Sequence, residues 1–594
     1  MELRCRDLLC LLIVTMNSLW SILPHLYMLF DYQPVRTNRN TSYYVQMTSI
    51  VHKSFPESER LRMINETRAM FYHGYNNYMR HAFPHDELDP IHCSGRGHDW
   101  NDPSNININD ALGDYSLTLI DALSTLVVMG DSERFMEAVE YISHNITFDH
   151  CPTVQVFEAN IRVIGSLLSS HLIITEADKR LGDFRPLHYS DELLHVAHDL
   201  AERLLPAFEN TATGLPHPRV NLCHGVPSGG VPETCTAGAG SLILEFSILS
   251  RLVGDPIYEN LARRAVRTLW DLRHPRTGLV GNVVNIHSGD WIGPMSGIGA
   301  GVDSFYEYLL KSFILFGERE DLEMFTEFYK NIMKYMRKGC CSCLDIIIND
   351  KWLQSPLYVN VNYNSGKLYN FWFDSLSASF AGLQVLAGDL DEAICTHALY
   401  YTLWRKYESL PERYDWKAKS PSVSFYPLRP ELAESTYLLY QATHNPFYLH
   451  VGTDILNSIN KHMKAKCGYA TLHDVITKEK EDRMESFFLS EMCKYLYLLF
   501  DTDHVINKHS ANYLFTTEGH VIPISSTLHR KQWEEESGHG QCRNYYRGRS
   551  MSRINETMLS TSCNVYSNIR RHSLPLVKEH FTELENFIGL HDHR

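Results

Sequence analysis

The sequence predicts an all-α fold, a seven-fold (αα)7 barrel of inner and outer helices. Three observations carry that reading. A helix-turn-helix unit recurs along the chain, its first helix is almost uniformly apolar, and every such apolar helix carries an acid.

The units run in order. LTLIDALSTLVVMGDSERFMEAVEYI turns at Gly130 and Asp131, and VFEANIRVIGSLLSSHLI enters a longer polar connection. GSLILEFSILSRLVGDPIYENLARRAV turns at Gly254, VDSFYEYLLKSFILFGEREDLEMFTEFY at Gly317, and FDSLSASFAGLQVLAGDLDEAICTHALYY at Gly388. ELAESTYLLYQATHNPFYLHVGTDIL turns at His444 and Asn445, and MESFFLSEMCKYLYLLFD is cut short near Asp501. Glycine supplies a left-handed helix end, and the acid after it suits the next helix N-terminus. The apolar first helices should be buried and the one-sidedly charged second helices should face solvent. An open solenoid is the other arrangement of such pairs. A closed ring is preferred because the first helices are too apolar to line an open groove.

The chain has 594 residues, 44% hydrophobic and 11% aromatic, ample for a core of this size. Its formal charge of −15 excludes a nucleic-acid surface, which needs a basic face. Residues 1–34 read as a signal peptide or signal-anchor: Arg4 and Arg6 precede an apolar run from Leu8 to Phe30. Residues 35–69 read as a lumenal lead-in, 70–530 as the barrel, and 531–594 as a tail of unknown structure. No stretch after the leader reads as long and apolar enough to span a bilayer, so membrane contact is expected only through residues 1–34 if uncleaved. Sequons at Asn40, Asn65, Asn145 and Asn555 and fourteen cysteines fit the endoplasmic reticulum lumen. Cys340, Cys341 and Cys343 form a cluster that reads as a local disulfide or plain thiols rather than a metal site.

The acids of the apolar helices are Asp121, Glu158, Glu245, Asp303 with Glu307, Asp374, Glu431 with Glu434, and Glu485 with Glu491. Buried charge without a partner costs several kcal/mol, so one acid in every inner helix needs a common reason. In a ring their helix starts meet at one end of the axis and build an acidic pocket. Paired carboxylates suit glycoside hydrolysis, and the surplus of acids calls for a cation such as calcium, which takes oxygen ligands.

The blocks FEANIR, GAGVDSFYEYLLK, LRPELAES, MESFFLSE and FTTEGH resemble those of class I α1,2-mannosidases, glycoside hydrolase family 47, from about Phe71 to Ile524. YNNYMRHAFPHDELDP and HCSGRG point to its ER-degradation-enhancing mannosidase-like branch. The resemblance implies an inverting, calcium-dependent removal of α1,2-linked mannose from high-mannose N-glycans of misfolded glycoproteins. A calcium-dependent mannose-binding module without significant hydrolysis is the alternative. By motif, Glu158 matches the general acid, Asp303 a second catalytic acid and Glu431 the general base. Asp121, Arg162, Glu245, Glu307, Arg429, Glu434, Phe487, Glu491 and Glu518 match sugar- or calcium-shell positions, and Thr517 the metal ligand. The carboxyls should then stand roughly 6.5–9.5 Å apart, as inversion requires. Ser375 replaces a histidine of the processing mannosidases, a change the degradation branch shares. In that branch Cys93 and Cys467 occupy the places of a long-range disulfide, which could react with an ER oxidoreductase.

Overall fold

The computed structural model describes residues 54–339, 357–533 and 578–590. The chain enters through α1 (Glu57–Asn77), which begins ahead of the boundary expected at residue 70. The inner helices follow as α2 (Leu117–Val128), α4 (156–175), α6 (Thr236–Val253), α8 (Asp303–Phe316), α10 (Ser375–Leu386), α12 (Glu431–Thr443) and α14 (488–500). Between them run the outer helices α3 (Ser132–Asn145), α5 (Glu192–Leu204), α7 (Ile257–Asp271), α9 (Arg319–Tyr335), α11 (Leu390–Tyr407) and α13 (Phe447–His462). Each inner helix packs on the next, and α14 packs back on α2, so the ring closes.

The turns behave as the glycines require. Gly130, Gly254, Gly317 and Gly388 follow their inner helices with φ of 72°, 79°, 74° and 80°, and His444 takes the same role at 50°. Outer helices bury one stripe: in α7 it is Tyr258, Ala262, Ala265, Val266 and Leu269. Helix α6 is long and apolar enough to cross a membrane, against the expectation of no such stretch after the leader. It is buried over 89% of that stretch, because all its sides face other helices of the barrel.

The seventh unit has no outer helix of its own in sequence, and α1 supplies it. Helix α1 packs on α14, Arg60 Nη1 donates to the Phe500 carbonyl at 2.6 Å, and Arg68 Nη2 donates to Tyr497 Oη at 2.6 Å. The first described helix thus completes the last pair. The disulfide Cys93–Cys467, spanning 374 residues, ties the same two ends of the chain. A second disulfide joins Cys151 and Cys223.

One hairpin occupies the barrel axis. Its strands, Tyr513–Phe515 and Val521–Pro523, pair antiparallel, and Ser169 in mid-α4 donates to the Val521 carbonyl. The chain leaving the hairpin meets Arg251, near the C-terminal end of α6, through the Leu528 carbonyl. The hairpin therefore enters from the C-terminal ends of the inner helices and pushes its turn, 516–520, toward their N-terminal ends. Short strands at that other end precede several inner helices. Thr153–Gln155, Glu233–Cys235 and Trp372–Asp374 each pair with a strand returning from the following outer helix.

Beyond the hairpin, the tail read as structurally unknown contains α15 (Lys578–Phe587), docked on the outer layer. Asn65 and Asn145 are exposed on α1 and α3. The leader, Asn40, Asn555 and the cluster Cys340, Cys341 and Cys343 lie outside the described residues.

A cross-link closing so long a loop removes much unfolded-chain entropy. Cys93→Ser combined with Cys467→Ser should lower unfolding stability by about 2–5 kcal/mol, read from denaturant midpoints. An unchanged midpoint would show that helix packing alone closes the ring.

Candidate active site

Asp303 and Glu431 are the first residues of α8 and α12, and Glu158 is the third of α4. All three remain reachable by solvent although the barrel surrounds them. Desolvation pushes the Asp303 carboxyl up to about 7, and the nearby Glu307, Glu431 and Asp374 add repulsion. Glu431 is also raised to about 7 by desolvation, against the opposing pull of Arg429. The Cys235 thiol feels both Asp303 and Glu158, so acids from α4 and α8 share that stretch of rim.

Two arginines organise the rim. Arg162, one helical turn beyond Glu158, donates from Nε to Glu158 Oε2 at 2.7 Å and from Nη1 to Ser486 Oγ at 3.0 Å. Its Nη1 also stands 3.7 Å from Glu518 Oε1 in the hairpin turn. Arg429 is gripped by both oxygens of Glu412, at 2.8 and 2.7 Å. The two guanidiniums lie over Phe487, at 5.3 and 6.0 Å from its ring centre, so Phe487 sets the distance between them. Leu428, buried ahead of Arg429, holds a left-handed φ of 63°, a strained bend for a branched side chain that turns the chain into α12.

Deeper in, the acids crowd. Glu245 accepts from Tyr308 Oη at 2.6 Å and Asn160 Nδ2 at 2.9 Å, and burial raises it to about 7. Glu307 pairs with the buried Lys311. Glu434 is raised to about 8 by desolvation despite that lysine. Glu491 and Glu518 are held well above the carboxylate range by burial, and each feels other carboxylates of the cluster. Asp121 is raised to about 6 by the same cause, against Arg162. The Thr517 N–H donates to Tyr308 Oη at 3.4 Å, which seats the hairpin turn against the Glu245 shell.

The residues expected from the motifs are linked to one another by hydrogen bonds, ring contacts and electrostatic interactions. Sequence reasoning missed the groups that make the cluster tolerable. Glu412, Lys311 and Lys494 had no repeat position to reveal them. Arg483, which pairs with both Glu87 and Glu485, was equally silent. Lys494 is buried, held by Ser124 Oγ and the Gly519 carbonyl, and desolvation lowers it to about 7. Also invisible were the wide π-helical turns at Ala159–Ile164 and Phe488–Met492, which carry Arg162 and Glu491. Ser375 donates to Glu412 Oε2 at 3.1 Å and so joins the support of Arg429.

Among the described residues no three His, Cys, Asp or Glu side chains converge to hold a metal by themselves. The donor set nevertheless fits a hard cation. Glu431 Oε2, Glu518 Oε1 and both oxygens of Asp121 are buried without a well-formed hydrogen bond, and Thr517 adjoins Glu518 in the hairpin turn.

Residues 70–524 match the sequence model described as glycosyl hydrolase family 47. "ER degradation-enhancing alpha-mannosidase-like protein 1" of Schizosaccharomyces pombe is 47% identical over 79% of this chain and 57% of its own length. "ER degradation-enhancing alpha-mannosidase-like protein 3" of Homo sapiens is 44% identical over 78% of the chain and 48% of its own, so the chain spans about half the length of such relatives. "Alpha-mannosidase I MNS5" of Arabidopsis thaliana is 44% identical, with 80% and 79% covered. Among solved structures, an α-1,2-mannosidase from Trichoderma reesei superposes with a TM-score of 0.67 at 24% identity, over 78% of this chain and 99% of that one. That likeness supports the barrel.

If Glu412 holds Arg429 for the sugar, Glu412→Gln, which loses one charged acceptor, should weaken glycan processing or binding about 10–100-fold. The variant should keep the wild-type circular dichroism spectrum, and unchanged glycan affinity would remove Glu412 from the site.

Proposed function

The chain belongs to glycosyl hydrolase family 47, and from that premise we propose that it trims α1,2-linked mannose from high-mannose N-glycans of misfolded glycoproteins in the endoplasmic reticulum lumen. The observation that carries the reading is the cluster itself: acids from separate repeats lie close enough to raise one another, with Glu158, Asp303 and Glu431 the partly exposed members. The names of the relatives support the compartment, and so do two disulfides and the exposed Asn65 and Asn145 sequons.

Glu431 acts as general base, taking a proton from the water that attacks the anomeric carbon. A proton held on the opposite side, by Glu158 or Asp303, passes to the leaving oxygen as the glycosidic bond breaks. Inversion needs the acid and base carboxyls roughly 6.5–9.5 Å apart, leaving room for that water. Arg162 fixes the Glu158 carboxylate by its 2.7 Å bond, and Arg429 lies beside the base. Phe487 offers an apolar face for the sugar between the two guanidiniums. Calcium, when bound, supplies positive charge and oxygen coordination for sugar hydroxyls. Thr517 would hold it through its hydroxyl and carbonyl oxygens, with Glu245, Glu307, Glu434, Glu491 and Glu518 holding its waters. Cys93 is half-buried, so the Cys93–Cys467 bridge is also within reach of an oxidoreductase thiolate.

Incubation of the protein with a Man9-type glycan tests the reading. Free mannose should appear with calcium and cease with chelator. Glu158→Gln, Asp303→Asn and Glu431→Gln should each cut kcat by about 10²–10⁴-fold. Glycan retention without release under every condition would favour the binding module instead.

The pH profile of kcat/KM should be a narrow bell. Glu431 must be ionised, so activity falls as pH drops through about 7. If Asp303 is the proton donor it must be protonated, so activity also falls as pH rises through about 7. A flat plateau from pH 5 to 9 would contradict both roles. Calcium should raise Tm, and Thr517→Ala should abolish that rise. An equal rise in the variant would remove Thr517 from the metal site.

A further inference from the structure

We propose that the C-terminal helix α15 is a buttress for the pocket: it holds the rim strand Arg413–Asp415, and through it Glu412 and Arg429, in place for the sugar. The inference deepens the glycan-pocket reading and rests on it. Helix α15 lies beyond the stretch matched by the family, which ends at residue 524.

The seat under α15 is built for a helix end. Leu584 and Ile588 are fully buried against the barrel, and Phe587 stacks on Trp416 with ring centres 6.0 Å apart. The last carbonyls of a helix lack intrahelical donors and form its negative pole. Here the Ile588 carbonyl accepts from Lys406 Nζ at 2.6 Å and from Tyr414 Oη at 2.7 Å. The Asn586 carbonyl accepts from Lys419 Nζ at 3.0 Å. Two cations and a buried phenol thus meet the pole that a helix C-terminus presents.

Tyr414 is the hinge of the argument. It is fully buried in the middle of the rim strand, and its two preceding residues reach the pocket. Arg413 Nε donates to Asp374 Oδ1 at 2.9 Å, and Glu412 clasps Arg429 and accepts from Ser375. The pairing with Ser420–Val423 shifts register between Arg413 and Tyr414, so the ladder is irregular at the point where the strand needs outside support. Anchoring Tyr414 from behind fixes where Glu412 and Arg413 point. Release of α15 should loosen the arginine that faces the sugar while leaving Glu158, Asp303 and Glu431 on their helices.

The test uses the full-length protein with Leu584→Asp and Phe587→Asp together, which set two charges against the apolar seat. Hydrogen exchange is followed at residues 411–416 and 581–588, with KM and kcat measured on a high-mannose glycan. We expect 411–416 to lose protection along with 581–588, and KM to rise roughly tenfold while kcat stays within about twofold. Tyr414→Phe, which keeps the ring and removes the link, should raise KM about threefold without unfolding and decides the matter if the double variant fails to fold. Free exchange at 581–588 with 411–416 and KM unchanged would overturn the proposal. If 581–588 stays protected in the double variant, Tyr414→Phe decides, and an unchanged KM there would overturn the proposal as well. If no glycan is processed or bound at all, the pocket reading fails, and the exchange data alone still decide whether α15 supports the strand.

Discussion

The whole molecule is organised around carboxylates that have been taken out of water. Seven inner helices are apolar because they form the barrel core, and each carries or adjoins an acid that the core cannot solvate. Some acids are answered by buried cations: Glu158 by Arg162, Glu412 by Arg429, Glu307 by Lys311, Glu485 by Arg483. Others have no ion pair within 4 Å among the described residues, namely Asp303, Glu431, Glu434 and Glu491, and burial drives all four upward. The first group fixes geometry. The second is left with protons to give or take at neutral pH, or with charge to offer a cation.

Such a cluster survives only in a closed ring. Were the pairs arranged as an open solenoid, the acids would line a groove and hydrate, and none would be raised toward neutrality. Closure is accordingly reinforced where the ends of the chain meet. Helix α1 completes the seventh pair, Thr125 of α2 donates to the Leu489 carbonyl in the first turn of α14, and Cys93 is bonded to Cys467. The axial hairpin then removes the alternative of a water-filled channel. Phe515 packs between Tyr437 and Tyr495, and Glu518 is carried up to the floor of the chamber.

How much of this the sequence exposes follows from what repeats. The seven apolar helices and their glycine turns recur at regular spacing, so the ring and the acids placed on inner helices are legible. The supporting groups do not recur. Glu412 lies just ahead of a rim strand, and Lys494 sits in the otherwise apolar stretch Cys493–Phe500. Nothing in their local pattern distinguishes them from surface charges. The seventh outer helix was hidden for another reason: it precedes its partner by more than four hundred residues, and a repeat scanned in one direction ends at Asp501 without it.

Floor and rim residues are held in place by different parts of the fold. Floor residues such as Glu245, Glu434 and Glu491 sit within helices that also make the core, so a change there disturbs packing and desolvation together. Rim residues come from short strands and from the first residues of helices, where a substitution alters one contact. Ser375 is such a case. Its hydroxyl reaches Glu412, and the strand that follows Glu412 becomes the part of the rim that must be held still. Ser375 and Arg429 both depend on Glu412, so the position of Arg429 is set by the strand rather than by the core.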